Sequence, residues 1–158
     1  MRNKGFMAAV LGAAIMFLLA GCGEKAQDSA KFEGQHDLKI VATGVRSSGG
    51  YMRAMLCAPG DNFPNQCALA QDVEAKEGQV VWEFRSIPAG QYAFAAYHDE
   101  NNDKKINFAD GRMPSEGLMF SNNVMGRAGP PSFKQSAFDL TKSTKMVVQA
   151  KYFNQNGE

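Results

Sequence analysis

This chain has few histidines and almost no net charge. Its 158 residues include two histidines, and 17 basic side chains stand against 16 acidic ones. A chain so close to neutral has no electrostatic basis for binding nucleic acid. The Gly-x-Ser-x-Gly turn of many hydrolases and the His-Glu-x-x-His helix of zinc proteases are both missing. No sequence motif therefore identifies a reaction, and an enzyme is the less favoured interpretation.

The chain also lacks an N-terminal apolar run long enough to cross a membrane. The uncharged stretch 6–20 has 15 residues, whereas a transmembrane helix needs about 20. Arg2 and Lys4 precede this stretch and Leu19-Ala20-Gly21-Cys22 ends it, which resembles a bacterial lipoprotein signal. We therefore expect residues 1–21 to be a cleaved signal peptide and Cys22 to carry the lipid that anchors the protein to a membrane.

The residue after Cys22 refines the expected location. Gly23 stands where an Asp would favour retention in the inner membrane, so we predict a cell-envelope lipoprotein in the outer membrane, facing the periplasm. The mature chain would hold 137 residues, enough for one domain, with a formal charge of 15 minus 16, or −1. Attachment to the envelope therefore depends on the lipid and not on basic residues.

Cysteine is scarce as well, with three in the whole chain. Once Cys22 is lipidated, Cys57 and Cys67 remain as a pair outside the cytosol, and we expect them to form a disulfide. Closing so short a ring would stabilise the fold by about 3 kcal/mol. The alternative is two buried free thiols.

The pattern of apolar residues predicts strands and no helix of ordinary length. Alternation indicates strands over 38–45, 51–58, 79–85, 91–98, 133–140 and 144–153, with a shorter one over 117–121. The polar segment 22–37 is interpreted as the lipidated cysteine and a flexible tether, followed by one domain over 38–158. These strands predict an all-β fold, an antiparallel β-sandwich of six to seven strands, immunoglobulin-like or transthyretin-like.

Two connections carry more specific expectations. The turn-rich segment Ser47-Ser48-Gly49-Gly50 predicts a hairpin between the first two strands. Residues 68–77 show no clear period and are predicted to be irregular, with at most a helical turn. Residues 99–131 form an unusually long connection, which is typical of a functional loop.

Several motifs resemble an uncharacterised bacterial family, the domain of unknown function 2141. The resemblance covers residues 38–153 and is carried by Phe84-Arg85-Ser86-Ile87-Pro88-Ala89-Gly90-Gln91-Tyr92, Tyr97-His98-Asp99-Glu100-Asn101, Pro114-Ser115-Glu116-Gly117 and Phe120-Ser121-Asn122-Asn123. The first motif is also similar to the strand-turn-strand of transthyretin-like and collagen-adhesin B-type domains. The resemblance implies an exported β-sandwich without an established activity. The family usually has Gly where this chain has Lys104, and Asp where it has Asn107.

Residues 99–110 resemble a calcium loop with the spacing of an EF-hand. The predicted side-chain ligands are Asp99, Asn101, Asp103, Asn107 and Asp110, and Lys105 would contribute its carbonyl oxygen. Alternate residues of a tightly curled loop point inward, and hard oxygen ligands suit calcium. Position 6 is Lys104 instead of the usual glycine, so a left-handed backbone there would cost about 1–2 kcal/mol. The alternative is a solvated loop whose polar side chains cap their own backbone.

Two further functions use neighbouring residues. His98 and Asp99, with Ser121 or Ser132, supply the residue types of a hydrolase-like envelope enzyme. A second alternative is periplasmic copper handling, with His98 near thioethers that recur every six residues at Met113, Met119 and Met125. The leading hypothesis is a lipid-anchored, non-enzymatic binding or structural module of the envelope, with calcium as its candidate cofactor. Its envelope ligand or protein partner is not specified by any motif.

Overall fold

The computed structural model describes residues 32–109 and 112–153. The predicted signal peptide, Cys22 and the last predicted calcium ligand, Asp110, lie outside these ranges. Within them, none of the helices has the length and apolar character required to span a membrane.

Strands are the main regular secondary structure of the described chain. They are β1 (Gln35–Val45), β2 (Tyr51–Cys57), β3 (Leu69–Glu74), β4 (Gly78–Pro88), β5 (Gly90–Asp99), β6 (Phe108–Ala109), β7 (Met113–Pro114), β8 (Leu118–Phe120), β9 (Ala137–Leu140) and β10 (Thr144–Gln149). A one-turn helix, α1 (Phe133–Ser136), and a 3-10 turn, Ser121–Asn123, complete the described elements. Six of the ten strands have six residues or more, and β1 begins three residues before the predicted start of the domain.

The strands form two main sheets. The first sheet has the order β10-β1-β4, and the second has the order β3-β2-β5-β8, with β9 also paired to β5. The strands β6 and β7 form a separate two-stranded hairpin. All-β architecture is therefore confirmed, and the pairings are antiparallel with one exception, because β10 runs parallel to β1.

The predicted hairpin between the first two strands is wrong. β1 pairs with β4 and β10, whereas β2 pairs with β3 and β5 in the other sheet. The connection Ser47-Ser48-Gly49-Gly50 therefore crosses from one sheet to the other. A β-carbon at Gly50 would lie 1.9 Å from the carbonyl oxygen of Asp99, and Gly50 has φ +71°. Glycine is required there because the crossing chain passes directly against the end of β5.

Two other predicted segments differ from the structure. Residues 68–77, predicted to be irregular, contain β3, whose side chains alternate between half-buried and exposed at the edge of the second sheet. The predicted strand over 133–140 begins instead with α1, because Ser132 forms a capping box with Gln135 that favours a helical turn. Only its second half is a strand, β9.

The hydrophobic core lies between the two sheets. The inward side chains of β1 and β4 meet those of β2 and β5, and the rings of Trp82 and Phe94 pack with centroids 5.4 Å apart. The other face of the second sheet is covered as well, because eight consecutive residues at the end of β5 are buried. β5 is therefore the central strand, and its last residue, Asp99, is the first of the predicted calcium ligands.

Candidate functional site

The acidic loop, defined here as residues 99–109, is held to the second sheet by a buried ion pair. Asp99 is fully buried and receives a hydrogen bond from the guanidinium group of Arg53, which projects from β2. The same guanidinium group bonds to Asp72 on β3 and to the side-chain oxygen of Asn102 in the loop, 2.6 Å away. It also lies over the ring of Tyr51, 5.4 Å from the centroid. One arginine thus joins three strands to the loop.

The carboxylate of Asp99 also organises the loop backbone. It accepts hydrogen bonds from the amides of Asp103 at 3.0 Å and Lys104 at 2.9 Å. The chain must turn sharply to bring both amides to one carboxylate, and Lys104 has φ +64°. The left-handed conformation expected at loop position 6 is therefore present, although a lysine occupies it.

Three of the predicted calcium ligands gather in the structure. The side-chain amide of Asn107 donates to a carboxylate oxygen of Asp103 at 2.9 Å, and the amide of Asn101 contacts the same oxygen at 3.2 Å. Asn101 also donates to the side-chain oxygen of Asn107 at 3.0 Å. The hydrogen bond from Asn107 is the main reason that the pKa of Asp103 is lowered. Asp99 stands apart because Arg53 already occupies its carboxylate.

Glu116 is a buried carboxylate that sequence reasoning did not assign to the site. Its two oxygens accept the amides of Glu100 at 3.2 Å and Asn107 at 3.0 Å, so it fastens both ends of the loop. Burial is the main cause that raises the pKa of Glu116. The sequence signal was its place in Pro114-Ser115-Glu116-Gly117, which carried the family resemblance but suggested no role.

A family model decides the relationship of this chain to other proteins. The model for an uncharacterised protein conserved in bacteria, DUF2141, matches residues 40–148, more than half of the chain. The chain belongs to the DUF2141 family. No curated protein and no solved structure matches it. The two sheets and the acidic loop up to Ala109 lie almost entirely within the matched residues of this DUF2141 domain.

His98 of this DUF2141 domain is buried and hydrogen-bonded at both ring nitrogens. It is fully buried, and its two ring nitrogens contact the hydroxyl of Tyr152 and the carbonyl oxygen of Gly49, each at 2.8 Å. Tyr152 in turn carries the guanidinium group of Arg46 on its ring, 4.4 Å from the centroid. Both nitrogens are thus occupied by groups that fix the ring in place.

The two serines considered as nucleophiles also have structural partners. The hydroxyl of Ser121 is buried, accepts the amide of Phe94 at 3.0 Å and donates to the carbonyl oxygen of Ser136. Ser132 caps α1. Neither hydroxyl is a hydrogen-bond partner of His98 among the described contacts. These residues therefore form no hydrogen-bonded triad in the described part of the chain.

The three candidate copper ligands occupy different environments. Met119 is fully buried in the core between the sheets, whereas Met113 on the β6–β7 hairpin is 49% exposed. Met125 is half-buried in the segment after the 3-10 turn. The regular six-residue spacing therefore places the three methionines in three different environments, and a core methionine needs no metal to explain it.

Cys57 and Cys67 are joined by a disulfide in the structure, with Cα atoms 4.7 Å apart. The bridge closes a loop, 58–66, in which Asp61 accepts the amides of Ala58 and Ala68. Within the described ranges, the group of His, Cys, Asp or Glu side chains close enough to share an ion is Cys57, Asp61 and Cys67. Because a disulfide leaves no thiolate, this group is not a metal site.

Proposed function

We propose that this protein is a lipid-anchored binding or structural module of the cell envelope, held through Cys22 in the outer membrane and facing the periplasm. One observation supports a role without catalysis. His98 and Asp99, the two residues predicted for the enzyme alternative, are both fully buried and hydrogen-bonded to groups of the domain itself. A general base must reach the proton that it removes. The described hydrogen bonds of these two side chains go to other residues of the domain.

The position of the acidic loop supports binding at the end of the domain away from the anchor. The amide of Ala89 bonds to the carbonyl oxygen of Gly34 at 2.8 Å, so the chain enters the domain beside the start of β5. The loop follows the other end of β5, ten residues later. A strand of that length spans about 33 Å. The loop thus lies at the end of β5 opposite the point where the tether enters the domain.

Labelling with a radioactive fatty acid tests the anchor. We expect the wild-type chain to carry the label and to sediment with membranes, and a Cys22→Ala variant to lose both properties. A Cys57→Ala/Cys67→Ala variant is the matched control, because it removes two cysteines and leaves the signal intact. Undiminished labelling of the Cys22→Ala variant would contradict the proposal.

Calcium binding by the acidic loop is a second candidate function. The observation that favours it is the left-handed turn at Lys104 together with the convergence of Asn101, Asp103 and Asn107. Calcium takes six to eight oxygen ligands, and the Arg53 guanidinium group competes with it for Asp99. We therefore propose weak binding, in the range of about 10⁻⁴ to 10⁻³ M that extracellular modules show.

Calorimetry and thermal melting test this second function. At about ten times the dissociation constant, calcium should stabilise the fold by roughly 1.4 kcal/mol. Asp103→Ala should remove the response. The control is Asp72→Ala, which removes an acid near Arg53 but outside the loop. No heat and no melting shift at about 10 mM calcium would favour the self-capped loop instead.

A further inference from the structure

The second sheet carries an apolar row on the face that points away from the core. Met55 on β2 stands opposite Ala95 on β5, and Ala95 stands opposite Phe120 on β8. Their sequence neighbours on the other face, including Leu56, Phe94 and Met119, belong to the core between the sheets. Because strand side chains alternate, Met55, Ala95 and Phe120 form one row on the outer face.

Two loops cover most of this row, so Ala95 and Phe120 are only 4% and 5% exposed. The disulfide-closed loop packs Phe63 edge-on against Phe120, with ring centroids 6.2 Å apart. The acidic loop approaches from the other side and contributes Lys104, Lys105 and Ile106. Between the two loops lies an open groove of about 210 Å³, with Ala95 at its base. The small alanine side chain leaves the space that a larger residue on the central strand would fill.

The charge at the rim of the groove has a single sign. Lys104 and Lys105 are exposed and are the charged residues among those that line it. The remaining lining is mainly apolar and aromatic, with Tyr97 beside Ala95 on β5. The volume is below the range of about 300–1,000 Å³ that accommodates drug-sized molecules. A narrow apolar body with one anionic end matches these properties.

We propose that the groove binds the alkyl chain of a medium-chain fatty acid, with its carboxylate beside Lys104 and Lys105. The chain would lie over Ala95 between Met55 and Phe120. This inference deepens the proposed binding function by naming the class of ligand. It rests on that function only for the cellular location, because the groove belongs to the described domain.

Photo-crosslinking of the full-length chain with a diazirine derivative of decanoate tests the site directly. Peptide mapping should place the label on β2 and β8, and unlabelled decanoate should compete for it. Label confined to peptides outside the groove, or spread without competition, would overturn the proposal. The readout is position-specific, so nonspecific binding elsewhere on the chain is distinguishable.

Variants separate the apolar and charged parts of the groove. Ala95→Phe should lower labelling of β2 and β8 about tenfold by filling the base. Val147→Phe is the matched control, because Val147 is exposed on β10 of the other sheet. Unchanged labelling in Ala95→Phe, with a native circular dichroism spectrum, would overturn the proposal.

A variant that changes only the charge at the rim tests the proposal even if Ala95→Phe fails to fold. A Lys104→Glu/Lys105→Glu variant should weaken competition by decanoate about fivefold and leave competition by decanol unchanged. Equal loss for both competitors, or for neither, would contradict a carboxylate at the rim. Labelling of Cys22 is measured independently, so failure of the groove and failure of the anchor are separable outcomes.

Discussion

The acidic loop and the turn Ser121–Asn123 use similar residues in opposite ways. Both are polar, and both contain left-handed residues: Asn102 and Lys104 in the loop, Asn122 and Asn123 in the turn. In the loop, the hydrogen bonds among Asn101, Asp103 and Asn107 join residues two to six positions apart. Side chains of the turn bond to partners 13 to 27 positions away. Residue type therefore predicts a turn, but it does not show whether the side chains of that turn bond to near or to distant residues in the sequence.

The turn replaces parts of the sheet ladders. Asn123 accepts the amide of Gln149 at 2.7 Å and so occupies the open edge of β10. Asn122 donates to the carbonyl oxygens of Gln135 and Ala137. Side chains in these positions satisfy backbone groups that would otherwise face solvent at a sheet edge. Many polar groups of the loop bond to one another, and the loop is attached to the domain through Arg53, Glu116 and the bonds of Glu100 to Arg46 and Ser47.

Removing Arg53, which attaches the loop to the second sheet, should have the largest effect. Arg53→Ala leaves Asp99 as a buried carboxylate without its cation, and we expect a loss of about 3–5 kcal/mol in the free energy of unfolding. Arg46→Ala is the control, because the Arg46 ion pair with Glu100 is more exposed and should contribute about 1 kcal/mol or less. Urea denaturation measures both. Equal losses would show that burial of Asp99 does not distinguish the two pairs.

Removing the hydroxyl of the turn should have the next largest effect. Ser121→Ala leaves the amide of Phe94 and the carbonyl oxygen of Ser136 without their buried partner, at a cost of about 1–3 kcal/mol. Asn101→Ala in the loop should cost less than about 1 kcal/mol, because its partners reach water. Thermal melting compares the two variants. A larger loss for Asn101→Ala would reverse the contrast between tertiary and local bonding.

The stabilisation that Glu100 contributes to the loop should depend on pH. A hydrogen bond from Arg46 is the main cause that lowers the pKa of Glu100, and Ser47 also donates to it. Because the pKa is lower in the folded state, this stabilisation is present above the usual glutamate value of 4.5 and is lost as the pH falls through the folded pKa.

We expect Glu100→Gln to be less stable than wild type at pH 7 by about 1 kcal/mol. The difference should shrink as the pH falls below 4.5 and through the folded pKa of Glu100, as melting curves across this range would show. A constant difference would mean that the carboxylate contributes through packing instead of charge.

Relief of backbone strain should have the smallest effect. A left-handed lysine costs about 1–2 kcal/mol and glycine loses about 0.5–1 kcal/mol through its greater freedom when unfolded. Lys104→Gly should therefore stabilise the fold by about 0.5–1 kcal/mol and tighten any calcium binding. Lys105→Gly, without positive φ to relieve, is the control. Destabilisation by Lys104→Gly in urea denaturation would contradict the argument.

Much of the local structure was predictable from the sequence. Most strands follow from the alternation of apolar residues, and the disulfide follows from two cysteines placed on either side of a proline-bearing loop. The turn at Lys104 was expected from its position in the loop pattern. Arg53 was missed, although a lone charge within the apolar strand Tyr51–Cys57 is a usable signal, because a buried charge requires a partner.

The sequence by itself determined where the chain extends, where it turns and which residues are apolar, because these properties depend on neighbours within a few positions. Only the tertiary structure decided that β1 and β2 lie in different sheets and that β10 runs parallel to β1. It also decided that His98 and Asp99 are buried and hydrogen-bonded within the domain. Pairing and burial depend on which distant strands compete for the same edge or face, and local alternation carries no information about that choice.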